Sequence, residues 1–302
     1  MSKFNKKMRY GSEHGTHREI LRNMGYTLGK TIGEGTYSKV CVANLFTEEI
    51  NAKVACKIIH KKMAGSEFIK KFLPRELRII KNLQHPNIVR VFNIIDLHDA
   101  IYIIMDYCRN GDLLEFIRES GPLDEELSRI FFRQIVDAVD YLHDLEIAHR
   151  DLKCENILIS NNNVIKLGDF GFARCCVDGN GDCLLSDTFC GSAAYAAPEI
   201  IQGIPYYPKM YDIWALGCIL YIMISATMPF DDSNVKKMLR IQLNRSLCMA
   251  AFKNWKKHCI HLKNLIACLL EPDVARRATI RQVVNCMWLQ EKCNKLTHPC
   301  DY

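Results

Sequence analysis

The order of apolar and polar positions divides the chain into a strand-rich first part and a helix-rich second part. Between the third and fourth predicted strands, residues 68–83 carry apolar side chains at a near-helical period. From Asp112 onward, helical patterns dominate as far as Leu289. The fold class is therefore expected to be α+β, with a small β-rich lobe before a larger, mainly helical lobe. Five apolar or β-branched runs predict the strands, the first two forming a hairpin: 26–32, 40–43, 54–59, 91–95 and 101–105.

Length and composition narrow the class of protein without indicating its chemistry. A chain of 302 residues can form two packed lobes but is too short for a second full domain beside them. Its longest apolar stretch, Ile213 to Ala226, is shorter than the roughly 20 residues of a membrane-spanning helix, so no span is expected. The N-terminus lacks the apolar core of a secretory signal. We expect an intracellular, soluble and monomeric protein of the cytoplasm, with the nucleus as a further compartment.

Positive charge is concentrated at the N-terminus. Residues 1–30 contain seven Lys and Arg against two Asp and Glu, whereas the remainder contains 33 against 32. Such a leader could bind RNA, anionic lipid or an acidic partner, but a solvated disordered arm over residues 1–25 is the simpler interpretation. We therefore expect no nucleic-acid partner.

The fifteen cysteines are expected to be reduced thiols. Their number is odd, no two have C-x-x-C spacing, and no export signal places them in an oxidising compartment. A redox or metal role stays open as an alternative for one cluster in a single predicted loop: Cys175, Cys176, Cys183 and Cys190.

The first predicted hairpin carries a glycine-rich stretch. Glycines allow backbone amides to approach phosphate groups, although Ser38 replaces the third glycine of the G-x-G-x-x-G pattern, and a hairpin of this kind is often only a turn. Lys57 on the third strand could hold nucleotide phosphates, and Glu76 on the next helix could orient Lys57. A lone strand lysine would otherwise be a solvated edge residue. The stretch reads Gly33, Glu34, Gly35, Thr36, Tyr37, Ser38, Lys39 and Val40.

Three motifs in the second part point to phosphoryl transfer. His149-Arg150-Asp151 is followed five residues after Asp151 by Asn156, which fits an aspartate that accepts a hydroxyl proton and an amide that binds a metal ion. Asp169-Phe170-Gly171 follows the apolar run 164–167 and supplies a carboxylate for Mg²⁺. Ala197-Pro198-Glu199 closes the segment that begins at Asp169.

In this order, the motifs resemble the eukaryotic protein kinase family from about Tyr26 to Leu289. The resemblance implies a two-lobed kinase fold that uses ATP and Mg²⁺. It divides the chain into a basic extension (1–25), a kinase domain (26–289, with an N-lobe at 26–106 and a C-lobe at 107–289) and a short tail (290–302). Lys153 and Ser192 resemble the residues that accompany the catalytic aspartate in serine/threonine kinases, and Arg277 and Asp212 match scaffold positions that hold Glu199 and the catalytic loop.

Longer strings resemble the testis-specific serine/threonine kinases, a group within the calcium/calmodulin and AMP-activated kinase-like branch. They are residues 32–40, 72–77, 188–192 and 228–232. This resemblance implies a role in male germ cells and spermatid differentiation. It also implies that Thr188 is an activation-loop phosphorylation site, which an upstream kinase could phosphorylate. The phosphate on Thr188 would pair with Arg150 and Arg174. The loop at 177–183 departs from the relatives, which favours a loosened or altered loop there.

The same resemblance implies the nucleotide pocket. Met105 matches the gatekeeper, Asp106 to Cys108 the adenine-binding hinge and Asp112 the ribose contact, with Ile32, Val40 and Ala55 as apolar lining. Asp112 and Glu155 also resemble positions that select basic residues upstream of the phosphorylated Ser or Thr of protein substrates. As exposed carboxylates, these two could equally be solvated.

Two other functions are kept as alternatives. One is a catalytically weak, kinase-like signalling scaffold, against which the presence of Lys57, Glu76, Asp151, Asn156 and Asp169 argues. The other is an RNA- or membrane-bound adaptor that uses the basic N-terminal arm.

Overall fold

The computed structural model describes residues 16–48, 50–188, 190–244, 246, 248 and 258–291, and divides into two compact units at Arg109 and Asn110. Its strands are β1 Tyr26–Glu34, β2 Ser38–Phe46, β3 Asn51–His60, β4 Val91–Asp96, β5 Ala100–Asp106, β6 Ile147–Ala148, β7 Ile157–Ile159, β8 Ile165–Leu167 and β9 Arg174–Cys175. Its helices are α1 His17–Asn23, α2 Leu73–Asn82, α3 Leu113–Ser120, α4 Glu125–Asp144, α5 Pro198–Ile201, α6 Pro208–Ser225, α7 Val235–Leu243, α8 Ile260–Leu269, α9 Ile280–Val284 and α10 Met287–Gln290.

The first unit is built on a five-stranded antiparallel sheet with the order β1-β2-β3-β5-β4. All five predicted strands are present, each longer than its apolar run because the ladder continues into the flanking residues. In this register Val40 lies opposite Lys57, and Ala55 lies opposite Met105. Alternate residues of the strands point to opposite faces, so one face of the sheet forms a continuous apolar cluster that includes Val54, Cys56 and Ile104.

A helix packs on that cluster where the sequence predicted a disordered arm. The helix α1 begins with a capping box, in which Thr16 and Glu19 satisfy each other's backbone amides. Its Leu21 is only 1% exposed and belongs to the apolar cluster of the sheet. His17 contacts the Tyr102 hydroxyl at 2.9 Å and the Asp99 carboxylate at 2.8 Å. The prediction of a solvated arm is therefore wrong for residues 16–23, and residues 1–15 lie outside the described part.

The helix predicted over residues 68–83 is present in two forms. Residues Phe68–Phe72 form a π-helical turn, in which the Leu73 amide donates to the Phe68 carbonyl, and α2 follows from Leu73. Pro74 has no N–H to donate to the carbonyl four residues earlier, and its ring crowds that carbonyl. The wider turn accommodates this missing bond and delivers Glu76 into the buried face of α2.

The second unit is mainly helical and is organised around α4 and α6. The 20-residue α4 begins at Asp124, whose carboxylate accepts from the Leu127 amide, and it buries an apolar face that includes Phe131 and Ile135. The helix α6 is buried almost all round, with Trp214 fully enclosed. Even so, none of the helices in the described ranges is long and apolar enough to cross a bilayer.

A buried ion pair ties together distant parts of this unit. Arg277 donates from Nη1 and Nη2 to the two carboxylate oxygens of Glu199, at 2.6 and 2.9 Å. It also donates to the backbone oxygens of Glu271 and Met210. The expected contact between Arg277 and Glu199 is therefore confirmed. Four oxygen atoms from three residues accept from the guanidinium, which is what a buried charge requires.

Candidate active site

In the first unit, the glycine-rich stretch forms the tip of the β1–β2 hairpin. Gly33 and Glu34 are paired with Val40 and Lys39 in the ladder, and the Gly35 amide donates to the Ser38 carbonyl at 2.7 Å. A β-carbon on Gly35 would lie 3.1 Å from the Ser38 hydroxyl. Thr36 is exposed at the tip, whereas the Tyr37 ring packs on Phe68 with centroids 4.6 Å apart. The Gly35 amide is therefore used within the turn, and any amide that contacts a phosphate would come from the rest of the tip.

Lys57 and Glu76 form the predicted pair. The Lys57 ammonium lies 3.1 Å from Glu76 Oε1, and the Glu76 side chain is 4% exposed while Lys57 is 20% exposed. Strand β3 presents Lys57, and α2 brings Glu76 to it across the unit. A buried carboxylate beside the ammonium fixes its position, so Lys57 is held ready for an anionic group.

The predicted nucleotide-pocket residues lie at different depths. Ala55 is buried at 4% exposure, Val40 and Met105 are half-buried, and Ile32 is exposed at 44%. Asp106 and Cys108 are half-buried at the end of the first unit. In the second unit, Asp112 caps α3 by accepting from the Glu115 amide at 2.9 Å, and burial raises the pKa of its carboxyl against the opposing effect of that bond.

The catalytic loop of the second unit brings four predicted side chains together. Lys153 Nζ lies 3.0 Å from Asp151 Oδ2 and donates to the Ser192 hydroxyl at 3.1 Å. That hydroxyl in turn donates to Asp151 Oδ1 at 3.4 Å. Asn156 Nδ2 donates to the Asp151 backbone oxygen at 2.8 Å and to its Oδ2 at 3.0 Å. Asp151 is thus oriented by three neighbours and is only 5% exposed.

The backbone of this loop is fixed by a buried carboxylate on α6. Asp212, 1% exposed, accepts from the His149 amide at 2.9 Å and from the Arg150 amide at 2.8 Å, as the resemblance implied. His143 Nε2 contacts Asp212 Oδ2, the oxygen that accepts from the His149 amide, at 3.0 Å. These bonds hold Arg150 at a φ of 65°, a conformation that is uncommon for a residue with a side chain. Strain of this kind is typical of functional loops.

The residue before Asp169 is bonded to the catalytic loop, so the two motifs lie next to each other as predicted. The Gly168 amide donates to the Asn156 carbonyl at 2.9 Å, and the Gly168 carbonyl contacts His149 Nε2 at 3.0 Å. Asp169 itself is exposed with a φ of 53°, and Phe170 beside it is buried against the His149 ring. Asn156 uses its amide nitrogen on Asp151, which leaves its oxygen as the atom suited to a cation. A carboxylate and an amide oxygen are ligands that Mg²⁺ accepts.

The activation segment does not place Thr188 against the predicted arginines. Thr188 is exposed, and its hydroxyl donates to Asp187 Oδ1 at 3.2 Å. The guanidinium groups of Arg150 and Arg174 instead meet at the hydroxyl of Ser186, at 3.0 and 3.4 Å. Ser186 was missed because a serine in a loop carries no local sign of such a contact.

Residues 177–183 form a closed hairpin, so of the two possibilities that the sequence left open the loop is not loosened. Val177 pairs with Cys183, and the Asp178 amide donates to the Asp182 carbonyl at 2.9 Å. The Asp178 carboxylate also accepts from the Asn180 and Asp182 amides. Gly181 has a φ of 88° at the tip, which a residue with a side chain rarely adopts.

The clustered cysteines of the activation segment differ in exposure. Cys175 and Cys183 are exposed, whereas Cys176 and Cys190 are buried. No disulfide joins any of the cysteines that the structure describes, and none of the described His, Cys, Asp and Glu side chains form a group of three that could hold a metal ion.

Comparisons with known proteins agree with this arrangement. Residues 26–289 match the family model described as "Protein kinase domain". The chain is 49% identical to testis-specific serine/threonine-protein kinase 1 of Mus musculus, over 92% of this chain and 75% of the relative. It is 43% identical to testis-specific serine/threonine-protein kinase 3 of Homo sapiens, over 90% of this chain and 98% of the relative. Nothing in these matches supports a catalytically weak scaffold. The chain belongs to the protein kinase family and, within it, to the testis-specific serine/threonine kinases.

Proposed function

We propose that this chain transfers the γ-phosphate of ATP to serine or threonine hydroxyls of protein substrates in a Mg²⁺-dependent reaction. The observation that supports this most directly is the orientation of Asp151 by Lys153, Ser192 and Asn156. The proposal includes the assignment of residues 26–106 and 107–289 as the two kinase lobes. It also includes an intracellular location, where ATP is available.

In the proposed mechanism, Asp151 accepts the proton of the substrate hydroxyl while the hydroxyl oxygen bonds to the γ-phosphorus. The bond between that phosphorus and the bridging oxygen of ADP breaks, and the electron pair leaves with ADP. Lys153 and Ser192 keep Asp151 turned toward the hydroxyl. Catalysis of this kind relies on positioning and on stabilising the charge of the phosphoryl group.

The remaining predicted residues bind the nucleotide. Lys57, held by Glu76, would pair with the α- and β-phosphates, and the amides of the β1–β2 tip would contact the phosphate oxygens. Asn156 and Asp169 would hold Mg²⁺, which neutralises phosphate charge when it is bound. Apolar side chains and the hinge backbone would hold the adenine, at the positions Ile32, Val40, Ala55, Met105, Asp106 and Cys108.

Substrate preference and regulation complete the proposal. Glu155 is exposed and its Oε2 accepts from the Tyr195 hydroxyl at 3.2 Å, which fixes a carboxylate suited to an Arg-containing peptide. Thr188 is proposed as a regulatory phosphorylation site that is modified by an upstream kinase or by the chain itself. The names of the relatives support a role in the testis, and we propose a function in spermatogenesis.

The replacement Asp151→Asn tests the catalytic assignment. We expect phosphate transfer to a basic Ser-containing peptide to fall by about 10²–10⁴-fold, because the amide cannot accept the proton. The measurement is incorporation of radioactive phosphate from Mg-ATP, with thermal unfolding as a check on folding. Asp144→Asn, at an exposed site on α4, is the matched control and should leave the rate unchanged. Equal rates for Asp151→Asn and the native chain would refute the assignment.

A further inference from the structure

The guanidinium of Arg150 is buried, yet its described partners are neutral oxygens. Arg150 is 5% exposed, and it donates to the Phe172 carbonyl at 2.9 Å and to the Ser186 hydroxyl at 3.0 Å. No carboxylate of the described residues forms an ion pair with it. A buried cation without an anionic partner depends strongly on each hydrogen bond that it makes.

Ser186 receives a second guanidinium at the same atom. Arg174, on β9, donates to the Ser186 hydroxyl at 3.4 Å. A hydroxyl oxygen has two lone pairs, so it can accept from both arginines at once. The serine is fully buried, and its amide and carbonyl bond to the carbonyl and amide of Tyr206, each at 2.9 Å. Ser186 is therefore a fixed acceptor that keeps two cations side by side.

Thr188 is near this pair but outside it. Two residues of chain span at most about 7 Å, so a phosphate on Thr188 has only a short distance to cover. Three phosphate oxygens would bind the two guanidinium groups more strongly than one neutral hydroxyl can. Before any phosphate is present, the acceptor that the two arginines share is the Ser186 hydroxyl.

Arg150 connects this acceptor to the catalytic aspartate. Its own amide is bonded to Asp212, and Asp151 is the next residue. The Gly191 backbone, at a φ of 89°, packs so closely on the loop that a β-carbon there would lie 2.7 Å from the Arg150 carbonyl. The backbone of Arg150 is thus held on both sides and is continuous with Asp151. We expect a displacement of the Arg150 side chain to shift this backbone and so disturb the loop that orients Asp151.

We propose that Ser186 is a positioning residue that holds Arg150 and Arg174 together while Thr188 lacks a phosphate, and so maintains the basal activity of the kinase. Phosphate on Thr188 takes over this task, and the enzyme then no longer depends on the Ser186 hydroxyl. This inference rests on the proposed function, because it concerns the regulation of the same site.

The test compares the full chain with and without phosphothreonine incorporated at position 188 during translation. In the unphosphorylated form, Ser186→Ala is expected to lower kcat about tenfold, which corresponds to the loss of one hydrogen bond to a charged group. In the phosphothreonine form, the kcat of the same variant should be within about twofold of the native value. Ser186→Cys keeps the shape of the side chain with a weak acceptor and should behave like Ser186→Ala.

Ser128→Ala is the matched control. Ser128 is also fully buried in the second unit, but its hydroxyl has no hydrogen-bond partner among the described residues. Its replacement should leave both forms of the enzyme unchanged. Thermal unfolding of each variant separates a loss of positioning from a loss of folding.

The outcomes separate this inference from the proposed function. Equal slowing of Ser186→Ala in both forms, or no slowing in either, would overturn the positioning role. Phosphate found on Ser186 of the active native enzyme by mass spectrometry would also overturn it. Failure of the native chain to phosphorylate any peptide would instead refute the proposed function, and identical native rates with and without phosphothreonine would refute the regulatory role of Thr188.

Discussion

Arg277 is a buried charge that links distant parts of the second unit. Arg277 is fully buried and bonds to Glu199 and to two backbone oxygens. Removing one partner of such a pair leaves an uncompensated charge in the interior, which costs far more than the pair itself contributes.

The replacement Arg277→Met should lower the free energy of unfolding by about 3–5 kcal/mol, because Glu199 would lose its cation. Chemical denaturation measures this change. Arg281→Met is the control, since Arg281 is 61% exposed and pairs with Asp140 and Asp144 on the surface. Its effect should be below about 1 kcal/mol. Similar values for both variants would contradict the argument.

Thiol reactivity should follow burial. Burial raises the pKa of Cys56 and of Cys154 to about 12, so at pH 8 both remain protonated and unreactive. Among the described cysteines, Cys175, Cys183 and Cys268 are exposed and should be alkylated first by iodoacetamide, with Cys56 and Cys154 labelled only after unfolding. Peptide mass spectrometry measures the order. Early labelling of Cys154 in the native chain would be inconsistent with this structure.

At the residue level, the sequence predicted groups whose roles are tied to fixed spacing. Asn156 lies five residues after Asp151 in the motif, and the short helical turn at 154–156 brings the two side chains together. Ser186 could not be predicted because its contacts with Arg150 and Arg174 depend on how a variable loop folds back on the core. Burial of a loop hydroxyl leaves no periodic signal.

Between elements, a close contact lies at Gly191, where the activation segment meets the catalytic loop. A β-carbon there would lie 2.7 Å from the Arg150 carbonyl and 2.8 Å from the Tyr211 hydroxyl. Gly191→Ala should therefore displace the loop and lower kcat about tenfold or more. Gly203→Ala is the control, because Gly203 also has a positive φ of 67° but has open space around it.

The control variant Gly203→Ala should introduce only backbone strain. Its free energy of unfolding should fall by about 1–2 kcal/mol, and its kcat should stay unchanged. Steady-state kinetics and thermal unfolding distinguish the two effects. If both variants lose activity equally, the cause is the positive φ and not the close contact.

The helix α1 should contribute to the stability of the first unit. Leu21→Ala removes a side chain that is 1% exposed in the apolar cluster, and we expect the free energy of unfolding to fall by about 2–4 kcal/mol. Arg22→Ala, on the exposed side of the same helix, should change it by less than about 0.5 kcal/mol. Equal denaturation midpoints for both variants would mean that α1 does not stabilise the sheet.

Elements were predicted where apolar positions recur at a regular period, as in the five strands and in the helix over residues 68–83. The helix α1 was missed because it has only seven residues and lies in a basic stretch, although the Thr16 and Glu19 capping pattern was a usable signal. The π-helical turn before α2 could not be predicted, because the apolar period over residues 68–83 indicates a helix without distinguishing its type.

For the whole molecule, the net charge should be reducible at the N-terminus without a change in kinase activity. Removing residues 1–15 takes away four Lys and Arg and one Glu, so the formal net charge falls from +6 to +3. The shortened chain should elute from a cation exchanger at lower salt while its kinase rate and its stability stay unchanged, because α1 is retained. Loss of RNA or vesicle binding on this deletion, with salt-sensitive binding before it, would favour the adaptor alternative.

The hairpin at 177–183 gives the kinase a place where sequence can be added. Its two ends are paired with each other, and a β-carbon added to Gly179 at its exposed tip would have no heavy atom within 4 Å. Inserted residues would extend outward without changing the separation of Val177 and Cys183. The activation segment can therefore diverge at this tip, or carry an engineered epitope, independently of the residues that anchor it.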